Sequence, residues 1–189
     1  MPHAPNSFGA IILAAGASTR LGYPKQTVLF RGETLLDRAV RIAQAAGARQ
    51  TVVVLGSHAG EVRGACRLQE CTIVENDVWM NGMGTSIRRG IEALHDVEGT
   101  LILTCDMPAV TNGHLRELVA TGMVTASRYG SKTGVPAFFP RTSFASLAQL
   151  EDSQGASRLL WGATTVPLSG GEFDVDTPSD LEALKNWAD

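Results

Sequence analysis

Ala10-Ile11-Ile12-Leu13-Ala14-Ala15-Gly16-Ala17-Ser18-Thr19-Arg20-Leu21-Gly22-Tyr23-Pro24-Lys25 is the stretch around which the chain is organised. It opens as an apolar run from Ala10 to Ala15. That run is too short to span a bilayer and is bounded by glycine, so it reads as a buried strand. Gly16 ends the strand, and the loop that follows carries Ser18, Thr19, Arg20, Gly22 and Lys25. Glycines let backbone approach a ligand and turn its N–H groups outward. Arg20 offers a planar fork for phosphate oxygens, and Lys25 a compact point charge. A first strand followed by a glycine-bearing cationic loop is how an α/β protein would hold a polyphosphate; the alternative is a solvated connection with ordinary surface charges.

Two named loops do not fit. A Walker A loop places four residues between its glycines and then Lys-Ser/Thr, whereas five separate Gly16 from Gly22, and Lys25 is followed by Gln26. The dinucleotide fingerprint G-x-G-x-x-G is absent.

Outward from the loop, the apolar pattern alternates between strands and helices. Glu33 to Ala46 reads as a helix with a stripe of Leu35, Leu36, Ala39, Val40, Ile42 and Ala43, stopped by Gly47. Thr51 to Leu55 is a second buried strand, His58 to Arg67 a short helix, and Cys71 to Val74 a third strand. Continuous apolar strands separated by helices predict a parallel sheet covered on both faces. Glu75 to Met83 is a loop. Gly84-Thr85-Ser86 starts a helix to about Leu94, and its N–H groups could face a phosphate or merely begin a helix.

Thr100 to Asp106 is a fourth strand, apolar until its last residues. Ligands of open α/β sheets sit beyond the carboxyl ends of strands. A carboxylate there, facing a phosphate-binding loop, suits Mg²⁺ that also binds phosphate oxygens, although an aspartate can equally cap a turn. Thr111 caps a helix to about Thr121. Val124 to Ser127 and Gly134 to Phe139 form a pair of strands around the polar stretch Gly130 to Gly134, a connection or a lid. Arg141 to Leu150 reads as a helix, and Thr164 to Leu168, with its proline, as an edge strand. Phe173-Asp174-Val175-Asp176 alternates, so both carboxylates share a face. Thr177-Pro178-Ser179-Asp180 caps the last helix, Leu181 to Trp187, which accounts for those residues without chemistry.

Taken together, Leu13-Ala14-Ala15-Gly16-x-Ser18-x-Arg20-x-Gly22-x-x-Lys25, Trp79-x-x-Gly82-Met83-Gly84-x-Ser86-x-x-x-Gly90, Cys105-Asp106-Met107-Pro108, Gly134-x-Pro136-Ala137 and Asp174-x-Asp176-Thr177-Pro178-x-Asp180 resemble the MobA-like nucleotidyltransferases, and among them the MocA-type molybdenum cofactor cytidylyltransferases. The resemblance covers nearly the whole chain. It implies a three-layer α/β/α, Rossmann-like, mostly parallel sheet of the nucleotide-diphospho-sugar transferase type. It implies nucleotide binding by Leu13, Ala14, Ala15, Gly16, Ser18, Arg20, Lys25, Gly82, Gly84 and Ser86. Catalysis falls to Lys25, Arg20 and Asp106, and Mg²⁺ to Asp106 and Asp174, with Asp176 the second choice. The implied substrates are CTP and a molybdopterin-type acceptor, the product passing to a molybdoenzyme. Leu-Ala-Ala-Gly is closer to the cytidylyl branch than to the guanylyl branch with its Gly-Gly. Related enzymes carry Gly-Asp-x-Gly-Ala where this chain has Asp152-Ser153-Gln154-Gly155-Ala156, so an acceptor role is not carried over to Asp152. Alternatives are the same chemistry with GTP or a sugar- or polyol-phosphate acceptor, a non-catalytic cofactor-binding chaperone, and a plain interaction domain. The metal carboxylates argue against both non-catalytic readings.

Composition sets outer limits. At 189 residues one domain is expected, with residues 1–8 as a frayed leader. A net charge of −3 carries no footprint for nucleic acid. No apolar span reaches membrane length, and the N-terminus lacks the basic start and apolar core of a secretory signal. Cys66, Cys71 and Cys105 read as reduced thiols of a cytoplasmic protein. His3, His58, His95 and His114 are scattered, without ligand-like spacing.

Overall fold

The structure, a computed structural model, describes residues 3–187. In chain order its strands are β1 (Gly9–Ala14), β2 (Leu29–Phe30), β3 (Glu33–Thr34), β4 (Gln50–Leu55), β5 (Thr72–Glu75), β6 (Gly99–Thr104), β7 (Thr125–Tyr129), β8 (Lys132–Pro140) and β9 (Thr164–Pro167). The helices are α1 (Leu35–Ala46), α2 (Ala59–Ala65), α3 (Met83–Glu92), α4 (Asn112–Ala120), α5 (Phe144–Ala148) and α6 (Pro178–Lys185). Seven strands form one sheet in the order β5-β4-β1-β6-β8-β7-β9, while β2 and β3 make a small separate hairpin. β5, β4, β1 and β6 are parallel; β8 runs antiparallel to β6, and β9 lies parallel to β7 at the edge.

The period of two along each strand divides the core between two faces. Ala10, Ile12, Val53, Leu55, Leu101 and Leu103 pack under Leu36 and Val40 of α1, Val62 of α2 and Leu115 and Leu118 of α4. Ile11, Leu13, Val52, Val54 and Ile102 pack under Ile87 and Ile91 of α3 and Leu147 of α5. Phe138 and Phe139, adjacent and both wholly buried, fill opposite faces. Each such side chain contributes roughly 2 kcal/mol by leaving water. The expected three-layer α/β/α architecture is therefore the observed one.

A third cluster positions the site. Leu21 and Val28 from the loop after β1 pack with Phe30, Leu35, Val175 and Leu184. Chain that follows the first strand is thereby glued to chain that precedes the last helix.

Some boundaries differ from expectation. The helix expected from Glu33 begins at Leu35, because the Thr34 hydroxyl caps it by accepting from the Asp37 N–H at 3.0 Å while Glu33–Thr34 pairs as a strand. Arg141 to Leu150 is a 3₁₀ turn, Arg141–Ser143, followed by the five residues of α5. The polar stretch Gly130 to Gly134 is mostly strand, since β8 starts at Lys132 and Tyr129 pairs with Lys132. Within the leader, Asn6 donates its backbone N–H to Glu98 at 2.8 Å and Phe8 is buried, so the chain is tied down there; residues 1–2 lie outside the described residues. Among the described residues no helix is long and apolar enough to cross a membrane.

Candidate active site

The loop after β1 folds back on itself around Ser18. The Ser18 carbonyl accepts from the N–H groups of Leu21 and Gly22, each at 3.0 Å, and its hydroxyl accepts from the Lys25 N–H at 3.0 Å. Gly22 has φ +87°, a region that favours glycine. Among the described residues, the backbone N–H groups of 16–20 have no hydrogen-bond partner. A Cβ on Gly16 would meet nothing within 4 Å. The loop thus presents a row of open amides over empty space, the backbone arrangement that cradles anions.

The acids meet at the carboxyl end of β6. Asp106 lies just past that strand and is 7% exposed. Lys25 Nζ donates to Asp106 Oδ2, and to Asp176 Oδ1 at 2.7 Å. Arg20 Nη2 donates to Asp176 Oδ2 at 2.7 Å. The Val175 N–H donates to the Asp106 carbonyl at 3.0 Å. Asp180 accepts from the N–H groups of Asp176 and Thr177, and the Thr177 hydroxyl caps α6, as the sequence predicts. Burial pulls the Lys25 ammonium down, but the Asp106 carboxylate and the bonds to Asp106 and Asp176 outweigh it, leaving Lys25 above the ordinary lysine value. Among the described residues, Asp174 makes no ion pair with either Lys25 or Arg20. Its carboxyl is pushed up to about 6 by burial, then by the negative charges of Asp106 and Asp176.

The donor set fits a divalent cation shared with phosphate. Asp106 Oδ1 is buried without a partner, and Asp174 is a carboxyl held among negative charges. Among the described residues no group of three or more His, Cys, Asp or Glu could hold a metal. Mg²⁺ commonly binds through one or two carboxylates, with phosphate and water completing its shell.

The opposite wall is the start of α3. Asn76, wholly buried, donates to the hydroxyls of Thr85 and Ser86 at 2.8 and 2.9 Å and fixes the first turn. Between the walls lies a cavity of about 270 Å³, lined by Leu13, Ala14, Ala15, Gly16, Lys25, Gly82, Ser86 and Asp106, all expected from sequence. Two further hollows, of about 310 and 630 Å³ beside α1 and α6, lack the acids and the loop amides.

Three expected residues are used differently. Ser18 spends its hydroxyl inside the loop. Arg20 stands at the rim on Asp176, its side chain 68% exposed. Gly84 faces away from the cavity: its N–H donates to the Asp152 carbonyl at 3.0 Å, and a Cβ there would lie 2.1 Å from the Glu151 carbonyl. Its glycine serves close packing. Asp152 accepts from Arg88 and Asn81, bracing the same junction. Gln26, Trp79, Met83, Thr104 and Cys105 also line the cavity, and the sequence reading gave them no site role. Trp79, Met83 and Cys105 stand inside the motifs that carry the resemblance, whereas Gln26 and Thr104 carry no local signal.

Known proteins resemble this chain along these elements. Nicotine blue oxidoreductase of Paenarthrobacter nicotinovorans is 34% identical over 125 residues, 64% of this chain and 61% of that protein. A probable molybdenum cofactor guanylyltransferase of Bacillus cytotoxicus is 32% identical over 120 residues, 62% of this chain and 57% of that protein. The chain thus spans less than two thirds of either relative's length. The crystal structure of Rv0371c from Mycobacterium tuberculosis H37Rv superposes with a TM-score of 0.84 at 28% identity, covering 99% of this chain and 100% of that one. A manganese complex of Rv0371c superposes with a TM-score of 0.80, covering 97% of this chain and 100% of that one. These names span different chemistries. Residues 10–166 match the MobA-like NTP transferase domain, and the chain belongs to that family.

Proposed function

We propose that the chain is a nucleotidyltransferase that moves CMP from CTP onto the phosphate of a molybdopterin-type acceptor and releases pyrophosphate. The observation that carries this reading is the convergence of Lys25, Asp106 and Asp176 beside a cavity walled by residues 13–16, the end of β1 and the start of its loop. The loop amides and Arg20 take the triphosphate tail. Lys25 leaves its carboxylates in part to neutralise charge growing at the α-phosphate. The acceptor phosphate is ionised near neutral pH, so the site needs no general base; positioning and charge neutralisation suffice. Asp106 and Asp174 would hold Mg²⁺, and the manganese complex of Rv0371c supports a divalent cation in this fold. Engagement of Asp176 by two cations supports Asp174 over it as the second ligand. When bound, the ion supplies Lewis-acid neutralisation of phosphate oxygens. The product would pass to a molybdoenzyme.

The guanylyltransferase relative supports a second reading, the same transfer with GTP. Pyrophosphate release with each of the four triphosphates and a molybdopterin acceptor, with and without Mg²⁺, separates the two. Metal-dependent release with CTP is expected. Preference for GTP replaces the base assignment, and no release with any triphosphate rejects the transferase.

A further inference from the structure

We propose that Gln26 is the positioning residue of the triphosphate loop, its carboxamide holding the Ala14 and Gly16 carbonyls so that the Ala17 N–H faces the nucleotide. The proposal rests on the transferase reading and goes beyond it to how the loop gets its shape.

Gln26 is wholly buried in the single 3₁₀ turn Lys25–Thr27 and lines the cavity beside the loop. Its Nε2 donates to the Ala14 carbonyl at 2.7 Å and the Gly16 carbonyl at 3.3 Å. One amide nitrogen thus clasps the last residue of β1 and the second residue of the loop. In a trans peptide the C=O and the N–H of one unit point to opposite sides. A Gly16 carbonyl drawn toward Gln26 therefore turns the Ala17 N–H away from Gln26. That N–H has no partner among the described residues.

Gly16 makes the clasp necessary. Nothing lies within 4 Å of where its Cβ would be, so no side-chain packing fixes the orientation of its peptide. Glycine left unconstrained samples many orientations, and an anion cradle that must be ordered on binding loses affinity.

Packing alone does not account for a glutamine here. Gln26 Oε1 is buried with no hydrogen-bond partner, which is unfavourable. Methionine would fill the same space and remove that unpaired oxygen, but it would also strip the Ala14 and Gly16 carbonyls of their donor. Lys25 and Gln26, adjacent in sequence, then divide the work: one carries charge to the acids, the other holds the loop in shape.

The test uses the full chain and the variants Gln26→Met, which keeps length and loses the donors, and Gln26→Glu, which keeps shape and sets a carboxylate against two carbonyls. Each is read by thermal melting, pyrophosphate titration calorimetry and steady-state transfer. Gln26→Met should stay folded, with KM for the triphosphate and Kd for pyrophosphate each raised about tenfold and kcat changed by less than about threefold. Acceptor KM should not move. Gln26→Glu should lose more affinity than Gln26→Met. A folded Gln26→Met with wild-type affinity for both ligands overturns the proposal. On the wild-type chain, pyrophosphate should slow hydrogen exchange at the Ala17 amide, and an exchange rate unchanged by pyrophosphate overturns it without any variant. Wild-type protein that binds neither pyrophosphate nor any triphosphate rejects the transferase reading itself, and this proposal with it.

Discussion

Val175 donates its backbone N–H to the carbonyl of Asp106 at 3.0 Å, stitching the segment before α6 to the open end of β6. The Val175 side chain is wholly buried against Leu21 and Val28 of the first loop. One residue therefore fixes three distant pieces of chain, and its two neighbours, Asp174 and Asp176, are carried to Asp106 by construction. The concentration of negative charge that results is unfavourable in itself. Lys25 offsets part of it, and a bound cation would offset more.

Replacing Lys25 with methionine should expose that balance. The Lys25 side chain is 18% exposed and that of Asp106 10%, so the carboxylate would lose its partner in a poorly solvated place. Removing one member of a buried pair costs about 3 kcal/mol or more, and we expect the low end because Asp176 can still reach Arg20. Transfer should fall by about 100-fold or more, the usual scale for losing a preorganised charge at a reacting phosphate. Thermal melts and pyrophosphate release check both. A folded Lys25→Met variant with wild-type turnover removes Lys25 from the mechanism.

Asp174 gives the stability a pH signature. Its carboxyl titrates near 6 in the folded chain, above an unfolded carboxylate at about 3.9. Between those values the folded state binds the extra proton, so this group makes the chain less stable as pH rises from about 4 through 6. Asp174→Asn should therefore raise the melting temperature at pH 7.5 and leave it unchanged near pH 4. Mg²⁺ should stabilise the wild type above pH 6 and stabilise Asp174→Asn less. Equal stabilisation of both by Mg²⁺ would remove Asp174 from the metal site.

What the sequence disclosed here follows from the range of each interaction. Apolar runs and the period of two located β1, β4 and β6, and the end of β6 located Asp106, because these signals lie within a few residues. The capping of α6 was legible for the same reason. Gly84 was not: its glycine is required by the Glu151 carbonyl, far along the chain, and locally it resembles a glycine beside a ligand. Arg20 was read for its charge, but its partner, Asp176, was invisible without the turn that Val175 anchors. Gln26 looked like the residue that spoils a Walker motif. Its bond to Ala14 depends on a loop closure that Ser18 makes.

His114 predicts a slope opposite to that of Asp174. Burial holds its imidazole below the usual value. Its Nε2 lies 2.7 Å from the Ser127 hydroxyl, which donates to the Pro136 carbonyl at 2.6 Å, so the neutral ring with a proton on Nε2 completes the chain of bonds. A base whose folded value is depressed costs stability as pH falls from about 6.5 through that lower value. His114→Gln should remove this acid-side component from wild-type melting curves taken between about pH 7 and 5. Parallel curves for the two proteins would mean that the imidazole titrates alike folded and unfolded.

Two glycines, Gly16 on the cavity wall and Gly84 on the side of α3 turned away from it, should respond in opposite ways to the same substitution. A methyl group on Gly16 meets open space and its backbone needs no left-handed angle, so Gly16→Ala should melt with the wild type within about 0.5 kcal/mol. That methyl would project where the triphosphate must approach, so affinity for nucleotide should drop. Gly84 sits in the first turn of α3, where alanine would ordinarily favour the helix by up to about 1 kcal/mol. Here the added carbon would lie 2.1 Å from the Glu151 carbonyl and 2.8 Å from that of Gln154, both backbone atoms that cannot swing aside. Overpacking of about 2–3 kcal/mol outweighs the helix preference, so Gly84→Ala should lose stability and detach the 151–154 segment from α3. Urea melts and nucleotide titration on the two variants read these outcomes separately. A Gly84→Ala variant as stable as wild type would show that the segment yields freely, and a Gly16→Ala variant with undiminished affinity would place the triphosphate elsewhere.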